Sequence, residues 1–260
     1  MTTRAAIVDV DGTIVRSEEL IPGAVEGLRA IEERGLSRLL FSNNPTRAGD
    51  HYVERLAAHG LEIDPADVLT SGTVTAAHLA EHHPGTAVYL VGEDRLERLL
   101  EEAGLRVTDD PERAGIVVGS IDRDLSYDTL AGAIPALERD LPFYGTDPDT
   151  TIPGSGGPVP GSGAILAAMA AVAGREPDAV LGKPSAIAAE AALETLGTDP
   201  AETVVVGDRL DTDVALGEAA GIQTALVLTG ITDRDDLAES DVEPDYVLES
   251  LGEIERVLEE

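Results

Sequence analysis

The chain has 260 residues, 43% of them apolar, and its mean hydropathy is close to zero. We therefore expect a folded protein of one large domain or two modest ones. It has no cysteine, which excludes disulfides, thiolate metal sites and a cysteine nucleophile. No apolar stretch is long enough for a membrane-spanning helix, and the first residues lack the apolar core of a signal peptide, so we expect a cytoplasmic protein.

Acidic residues outnumber basic ones by 50 to 18, which gives a formal net charge of −32. Such a field repels polyanions, so we expect neither nucleic acid nor a membrane as a partner. Seventeen of the basic residues are arginine and one, Lys183, is lysine. An acidic surface with almost no lysine is typical of halophiles that accumulate salt. The alternative is an acidic protein from a GC-rich mesophile.

Apolar β-branched runs alternate along the chain with segments of helical period. The runs that predict strands are Ala5–Val10, Leu39–Phe41, Val88–Val91, Ile116–Val118, Thr203–Val206 and Thr224–Leu228. The segments that predict helices are Ala24–Glu33, Arg47–His59, Arg95–Ala103, Ala164–Ala173 and Ala186–Leu196. This alternation predicts an α/β fold with a doubly wound parallel sheet. Right-handed crossovers then place the carboxyl ends of the strands on one rim, where ligands bind.

The segment Gly145–Gly163 interrupts this pattern. It is too rich in glycine, proline and serine for a helix or a central strand. Long loops inside compact domains are usually functional, and the alternative is a flexible linker between domains.

Two carboxylates follow the first predicted strand, in Asp9-Val10-Asp11-Gly12-Thr13. A charged residue that closes a buried apolar strand is costly unless a partner compensates it. The alternative is an ordinary turn or helix cap, because Asp-Gly is a common turn pair. Two carboxylates two residues apart on the ligand-binding rim favour a functional site.

Three further polar groups follow predicted strands or precede a predicted helix. Ser42, Asn43 and Asn44 close the strand LLFSNN, although this triplet alone would more often be a helix cap. The only lysine, Lys183, lies in Gly-Lys-Pro before a predicted helix, and its compact ammonium suits a phosphoryl group. After the strand Thr203–Val206 come Asp208 and Asp213, in GDRLDTD.

These four elements, in this order, resemble the motifs of the haloacid dehalogenase superfamily. The resemblance implies that Asp9 is a nucleophile that attacks phosphorus and that Asp11 is the general acid and base. It implies that Gly12, Ser42, Asn43, Asn44 and Lys183 bind the phosphate together with the two aspartates. Asp9, the backbone carbonyl of Asp11 and Asp208 would hold Mg²⁺, and Asp213 would orient these ligands.

The more than one hundred residues between the second and third motifs are expected to form a separate cap domain. Asp147 in Thr-Asp-Pro-Asp, together with the Gly-Lys-Pro that holds Lys183, is similar to the class IIA cap branch, which includes NagD-like and 4-nitrophenyl phosphatases. The branch usually has Asn where this chain has Asp147. The expected division is a catalytic core of residues 1–75 and 178–260 and a smaller α/β cap of residues 76–177.

The resemblance implies a magnesium-dependent phosphatase that acts on a small phosphorylated metabolite. With five Tyr, two Phe and no Trp, the composition favours a sugar, polyol or carboxylate phosphate over a nucleotide. A phosphomutase and a non-catalytic phospho-ligand-binding protein of the same fold are the alternatives. A receiver-type signalling domain would need about half this length. By analogy with the family, a homodimer is possible.

Overall fold

The structure, a computed structural model, describes residues 3–17, 19–154 and 156–258. The described residues divide into two compact units. The first unit is formed by Met1–Ser42, Gly49–Leu69 and Lys183–Glu260, and the second by Asn43–Ala48 and Thr70–Gly182. The predicted boundaries, at 75/76 and 177/178, and the role of the insertion as a cap stay predictions.

Fifteen strands lie in the described ranges, several of them only two residues long. They are β1 (Ala5–Val8), β2 (Val15–Arg16), β3 (Glu19–Leu20), β4 (Ser37–Ser42), β5 (Val68–Thr70), β6 (Ala87–Val91), β7 (Arg106–Val107), β8 (Ile116–Gly119), β9 (Phe143–Gly145), β10 (Thr151–Ile152), β11 (Val159–Pro160), β12 (Ala179–Val180), β13 (Thr203–Gly207), β14 (Gln223–Val227) and β15 (Tyr246–Leu248).

Ten α-helices connect these strands within the same ranges. They are α1 (Ala24–Glu33), α2 (Gly49–Ala57), α3 (Ser71–His82), α4 (Asp94–Glu102), α5 (Tyr127–Leu137), α6 (Ser162–Ala173), α7 (Ala186–Leu196), α8 (Ala215–Ala220), α9 (Arg234–Glu239) and α10 (Glu255–Leu258). None of the described helices is long and apolar enough to cross a membrane.

A six-stranded sheet, in the order β15-β14-β13-β1-β4-β5, forms the centre of the first unit. The central strand β1 is parallel to both of its neighbours, β13 and β4. All four of its residues are buried, so both faces of the sheet are covered. On one face, Ala6 and Val8 share a core cluster with Leu28 and Ile31 of α1. The carboxyl ends of β1, β4 and β13 therefore meet at one rim of the sheet.

The second unit has its own parallel sheet, in the order β12-β9-β8-β6-β7. Its apolar side chains form two clusters, one with Phe143 and Met169 and one with Leu96 and Leu100. Each unit thus has the layered α/β architecture of an independent core. The predicted fold class, a doubly wound parallel sheet with a second α/β domain, is confirmed.

The segment Gly145–Gly163 has more regular structure than the sequence predicted. It contains the antiparallel pair β10 and β11, and α6 begins inside it at Ser162, so the expectation of no helix there is wrong at its end. Glycine makes this early start possible. A Cβ on Gly163 would lie 2.2 Å from the carbonyl oxygen of Pro148, so any side chain would push the helix start away.

Candidate active site

Lys183 lies at the centre of the rim, in the first unit, with 2% of its surface exposed. Its ammonium donates hydrogen bonds to Asp9 Oδ1 at 2.8 Å, to Asp213 Oδ1 at 2.6 Å and to the Phe41 carbonyl oxygen at 2.8 Å. Burial lowers the pKa of Lys183, but Asp213 and Asp9 raise it by more, so the net shift is upward and the ammonium stays charged. The chain's only lysine therefore joins the ends of β1 and β4 to the loop after β13.

Asp9 directly follows β1, and its backbone N–H donates to the carbonyl oxygen of Val206 at 2.8 Å. Its side chain is buried, and while Oδ1 accepts from Lys183, Oδ2 has no hydrogen-bond partner among the described residues. Burial raises the pKa of Asp9 well above its ordinary value, Lys183 opposes this, and Asp213 and Asp208 add to it. A buried carboxylate oxygen without a donor is costly unless a ligand completes the site.

Asp208 and Asp213 come from the end of β13 and the π-helical turn Leu210–Val214 that follows. Asp213 has both oxygens in use, since Oδ1 accepts from Lys183 and Oδ2 accepts from the Arg209 N–H at 3.3 Å. Asp208 Oδ2 accepts from the Ile231 N–H at 2.7 Å. The direct ligand role of Asp208 and the orienting role of Asp213 stay predictions.

The cluster carries a charge imbalance that a cation would correct. One oxygen each of Asp9, Asp208 and Asp213 lies within 4.8 Å of the others, and Lys183 is the cation bonded among them. Burial and the neighbouring Asp213 raise the pKa of Asp208 to about 7. Buried carboxylates that repel each other are stabilised by a hard divalent ion, for which oxygen donors are the preferred ligands. The residues present therefore fit a metal ion.

Two glycines allow the backbone to pack directly on Asp208. Gly12 has φ +100°, and a Cβ there would lie 2.3 Å from Asp208 Oδ2. A Cβ on Gly230, in the loop after β14, would lie 1.7 Å from the same oxygen. The Thr229 hydroxyl donates to the Gly12 carbonyl oxygen at 2.6 Å and so connects the two loops. Gly12 was predicted from the first motif, whereas Thr229 and Gly230 lie in no recognisable motif and were not predicted.

Asp11 is exposed and stands apart from the buried cluster. Its Oδ1 accepts a hydrogen bond from Arg55 Nη1 at 2.9 Å. Arg55 lies on α2 and also donates to the carbonyl oxygen of Ser17, between β2 and β3. No sequence pattern predicted this contact, because Arg55 occupies an ordinary position of a predicted helix.

Ser42, the last residue of β4, is buried, and its Oγ accepts from the Tyr52 hydroxyl at 2.8 Å. Tyr52 is fully buried on α2, and burial together with Asp11 raises its pKa, so its hydroxyl keeps its proton and remains a donor. The helix was predicted from the sequence, but the contact of Tyr52 with the second motif was not.

Asn43 and Asn44 fall in the second unit. Asn44 Oδ1 accepts from the backbone N–H and the hydroxyl of Thr46, at 3.0 and 3.1 Å, which is the turn-forming use of Asn. The Asn43 carbonyl oxygen accepts from the Ser71 hydroxyl at 2.8 Å. Phosphate binding by Asn43 and Asn44 stays a prediction.

Asp147 is buried within the second unit. Its Oδ2 accepts from the Thr146 hydroxyl at 3.0 Å, and its Oδ1 accepts from the Asp149 N–H at 3.3 Å. Burial, and to a lesser extent the charge of Asp149, raise the pKa of Asp147 to about 7. Near neutral pH the carboxyl is therefore poised between its neutral and charged forms.

Comparison with known proteins identifies related family models at two separate stretches of the chain. Residues 6–106 match the model described as haloacid dehalogenase-like hydrolase, and residues 180–254 match a HAD-hydrolase-like model. The chain is 33% identical to the 5'-nucleotidase YutF of Bacillus subtilis, over 97% of each chain. It is 34% identical to an acid sugar phosphatase of Staphylococcus aureus, over 96% of each. A p-nitrophenyl phosphatase from Archaeoglobus fulgidus has the same fold with a TM-score of 0.94 at 37% identity, covering 99% of this chain and 100% of that one.

Proposed function

This chain belongs to the haloacid dehalogenase-like hydrolases, and from that premise we propose that it is a magnesium-dependent phosphatase of small phosphate monoesters. Its enzyme class is the phosphoric monoester hydrolases, to which the named relatives belong. The observation that carries the proposal is the buried Asp9 Oδ2, which has no hydrogen-bond donor among the described residues and lies beside two more carboxylates. A nucleophile needs such a free oxygen, and so does a metal ligand.

Asp9, Asp208 and the backbone carbonyl of Asp11 are proposed to hold Mg²⁺, with Asp213 orienting the ligands. When bound, the ion would neutralise part of the negative charge that carboxylates and phosphate bring together. Lys183 already neutralises part of it, since its ammonium lies 2.8 Å from Asp9 Oδ1 and 2.6 Å from Asp213 Oδ1. Both charges would act on the phosphoryl oxygens where negative charge is concentrated.

Asp9 and Asp11 carry the two chemical steps in this proposal. An Asp9 oxygen forms a bond to phosphorus as the ester P–O bond breaks, and the departing oxygen takes a proton from Asp11. Asp11 then removes a proton from water, whose oxygen bonds to phosphorus while the Asp9–phosphorus bond breaks. Inorganic phosphate leaves, and both aspartates return to their starting states. The burial of Asp9 and the exposure of Asp11 suit these roles, since Asp11 must exchange protons with water.

We propose that the phosphoryl oxygens are bound by Ser42, by the backbone of Gly12, and by Asn43 and Asn44. Ser42 Oγ accepts a hydrogen bond from the buried Tyr52 hydroxyl, which helps to hold the Ser42 side chain in place.

The substrate is proposed to be a small sugar, polyol or carboxylate phosphate. Supporting this, the chain has few aromatic side chains on which a base could stack, with two Phe and no Trp. An acid sugar phosphatase and a 5'-nucleotidase are both among the relatives, so an ester panel should include sugar phosphates and nucleotides.

The test is phosphate release from 4-nitrophenyl phosphate with Mg²⁺ in molar KCl. The salt screens the repulsion between the substrate and an acidic protein. We expect activity that is lost in EDTA and in Asp9→Asn but kept in Asp50→Asn, a control at an exposed position of α2. Activity in Asp9→Asn equal to wild type would exclude the aspartyl-phosphate. Isomerised sugar phosphate without phosphate release would indicate a mutase, and binding of esters without turnover would indicate a binding protein.

A further inference from the structure

Asp11 lacks the constraints that hold the other acidic residues of the site. Its side chain is 47% exposed, and it follows β1 by three residues rather than being built into the strand. An exposed carboxylate on a turn samples several rotamers. A general acid, in contrast, must lie within hydrogen-bond reach of one oxygen of the substrate.

Arg55, which lies 44 positions later in the chain, constrains the Asp11 carboxylate. Its side chain is only 13% exposed, its Nη1 donates to Asp11 Oδ1 at 2.9 Å, and its Nη2 donates to the Ser17 carbonyl oxygen. A planar guanidinium with two of its nitrogens engaged has little freedom to rotate. Arg55 therefore holds one oxygen of the Asp11 carboxyl at a defined place.

The helix that carries Arg55 packs closely on a neighbouring segment of the same unit. A Cβ on Gly49, the first residue of α2, would lie 2.5 Å from the Pro65 carbonyl oxygen, so the helix start lies directly on that backbone. Tyr52 and Arg55 are three residues apart and so lie on one side of the helix. Tyr52 binds Ser42 and Arg55 binds Asp11. One helix face therefore contacts two predicted catalytic groups that come from different strands.

We propose that Arg55 is the positioning residue of Asp11, holding its carboxyl where it can protonate the leaving oxygen; this rests on the proposed function. The contribution of a general acid depends on the ester. An alkoxide leaving group needs a proton, whereas 4-nitrophenolate leaves readily without one. Loss of Arg55 should therefore impair the hydrolysis of alkyl phosphates far more than that of 4-nitrophenyl phosphate.

The test compares kcat/KM for glycerol phosphate and 4-nitrophenyl phosphate in wild type, Arg55→Met, Asp11→Asn and the double variant. kcat/KM reports the first phosphoryl transfer, in which Asp11 is the acid. We expect Arg55→Met to lose on the order of 10²-fold with glycerol phosphate and less than about tenfold with 4-nitrophenyl phosphate. The double variant should be no slower than Asp11→Asn alone, because Arg55 acts through Asp11.

Arg29→Met, which removes an exposed arginine of α1 in the same unit, is the control and should match wild type with both esters. If Arg55→Met fails to fold, Arg55→Lys offers the same comparison, with a smaller loss in the same ratio between esters. Equal losses on both esters, or losses that multiply in the double variant, would overturn the positioning role alone. A folded wild type that hydrolyses neither ester would overturn the proposed function and the positioning role together.

Discussion

The stability of Asp147→Asn relative to wild type should increase as the pH rises. The carboxyl is buried among hydroxyls and a backbone N–H of the second unit, and its pKa is raised from 3.8 to about 7. Because the folded-state pKa is the higher one, the folded state binds the proton more tightly than the unfolded state does. Stability is therefore greatest below the unfolded pKa of about 4 and declines as the pH rises to about 7. The whole decline corresponds to about 4 kcal/mol.

Asparagine is neutral at every pH and removes this decline. Its oxygen can keep the hydrogen bond from the Asp149 N–H, and its amide would face the Thr146 hydroxyl, which lies 2.9 Å from Ser120 Oγ and can donate there instead. The cost of rearranging these hydrogen bonds does not depend on pH. Between pH 5 and pH 8, the stability difference between Asp147→Asn and wild type should therefore change by about 3 kcal/mol in favour of Asn.

Calorimetry in molar KCl at pH 5 and pH 8 measures this change. High salt screens exposed charges but hardly affects a buried one, which isolates Asp147 from the acidic surface. One kcal/mol corresponds to about 2–4 °C in melting temperature. The melting temperature of Asp147→Asn minus that of wild type should therefore be roughly 6–12 °C higher at pH 8 than at pH 5. Asp109→Asn, at an exposed site of the same unit, should show no such change. A stability difference for Asp147→Asn that is the same at both pH values would refute the reasoning.

Three further predictions concern the first unit. Lys183→Met leaves two buried carboxylates without their ammonium, so it should abolish turnover and lower the free energy of unfolding by about 3–5 kcal/mol in urea titrations. Gly230→Ala places a Cβ on Asp208, so its kcat/KM should fall at least about tenfold, whereas Gly156→Ala, where a Cβ meets open space, should match wild type. Mg²⁺ at a hundredfold excess over Kd should stabilise wild type by about 2.7 kcal/mol and so raise its melting temperature, but it should not raise that of Asp208→Asn. Equal stabilisation of both proteins by Mg²⁺ would argue against this metal site.

The parts of the fold that could be predicted are those that local pattern determines. The buried runs around Ile7 and Val205 are apolar and β-branched, and they do form the central strands β1 and β13. The structure also contains β12 and β15, which the sequence did not predict, because two or three residues are too few to show a period. The helix α5 was missed for a different reason. It contains Pro135, which normally argues against a helix interior.

The same division holds for the candidate site. Asp9 and Asp208 could be placed because each ends an apolar strand, and parallel strands bring their carboxyl ends to one rim. Arg55 could not be placed, although the helix that carries it was predicted. A helical period shows which residues share a face, but the neighbour of that face depends on packing, here on the close contact of Gly49 with Pro65. Asp11 and Arg55 are 44 positions apart in the chain, so no local sequence pattern reveals their ion pair.

Lys183 shows how a sequence signal can be strong without being local. Every other Lys or Arg position of this chain is arginine, so the preference for arginine does not hold at position 183. The structure supplies a physical reason. The ammonium is buried with acceptors at 2.6 to 2.8 Å, and a planar guanidinium would need more room and more acceptors than these groups provide. A residue type that is rare in the whole chain can therefore indicate a site whose geometry requires it. Here the single lysine indicates the point where the strand ends meet.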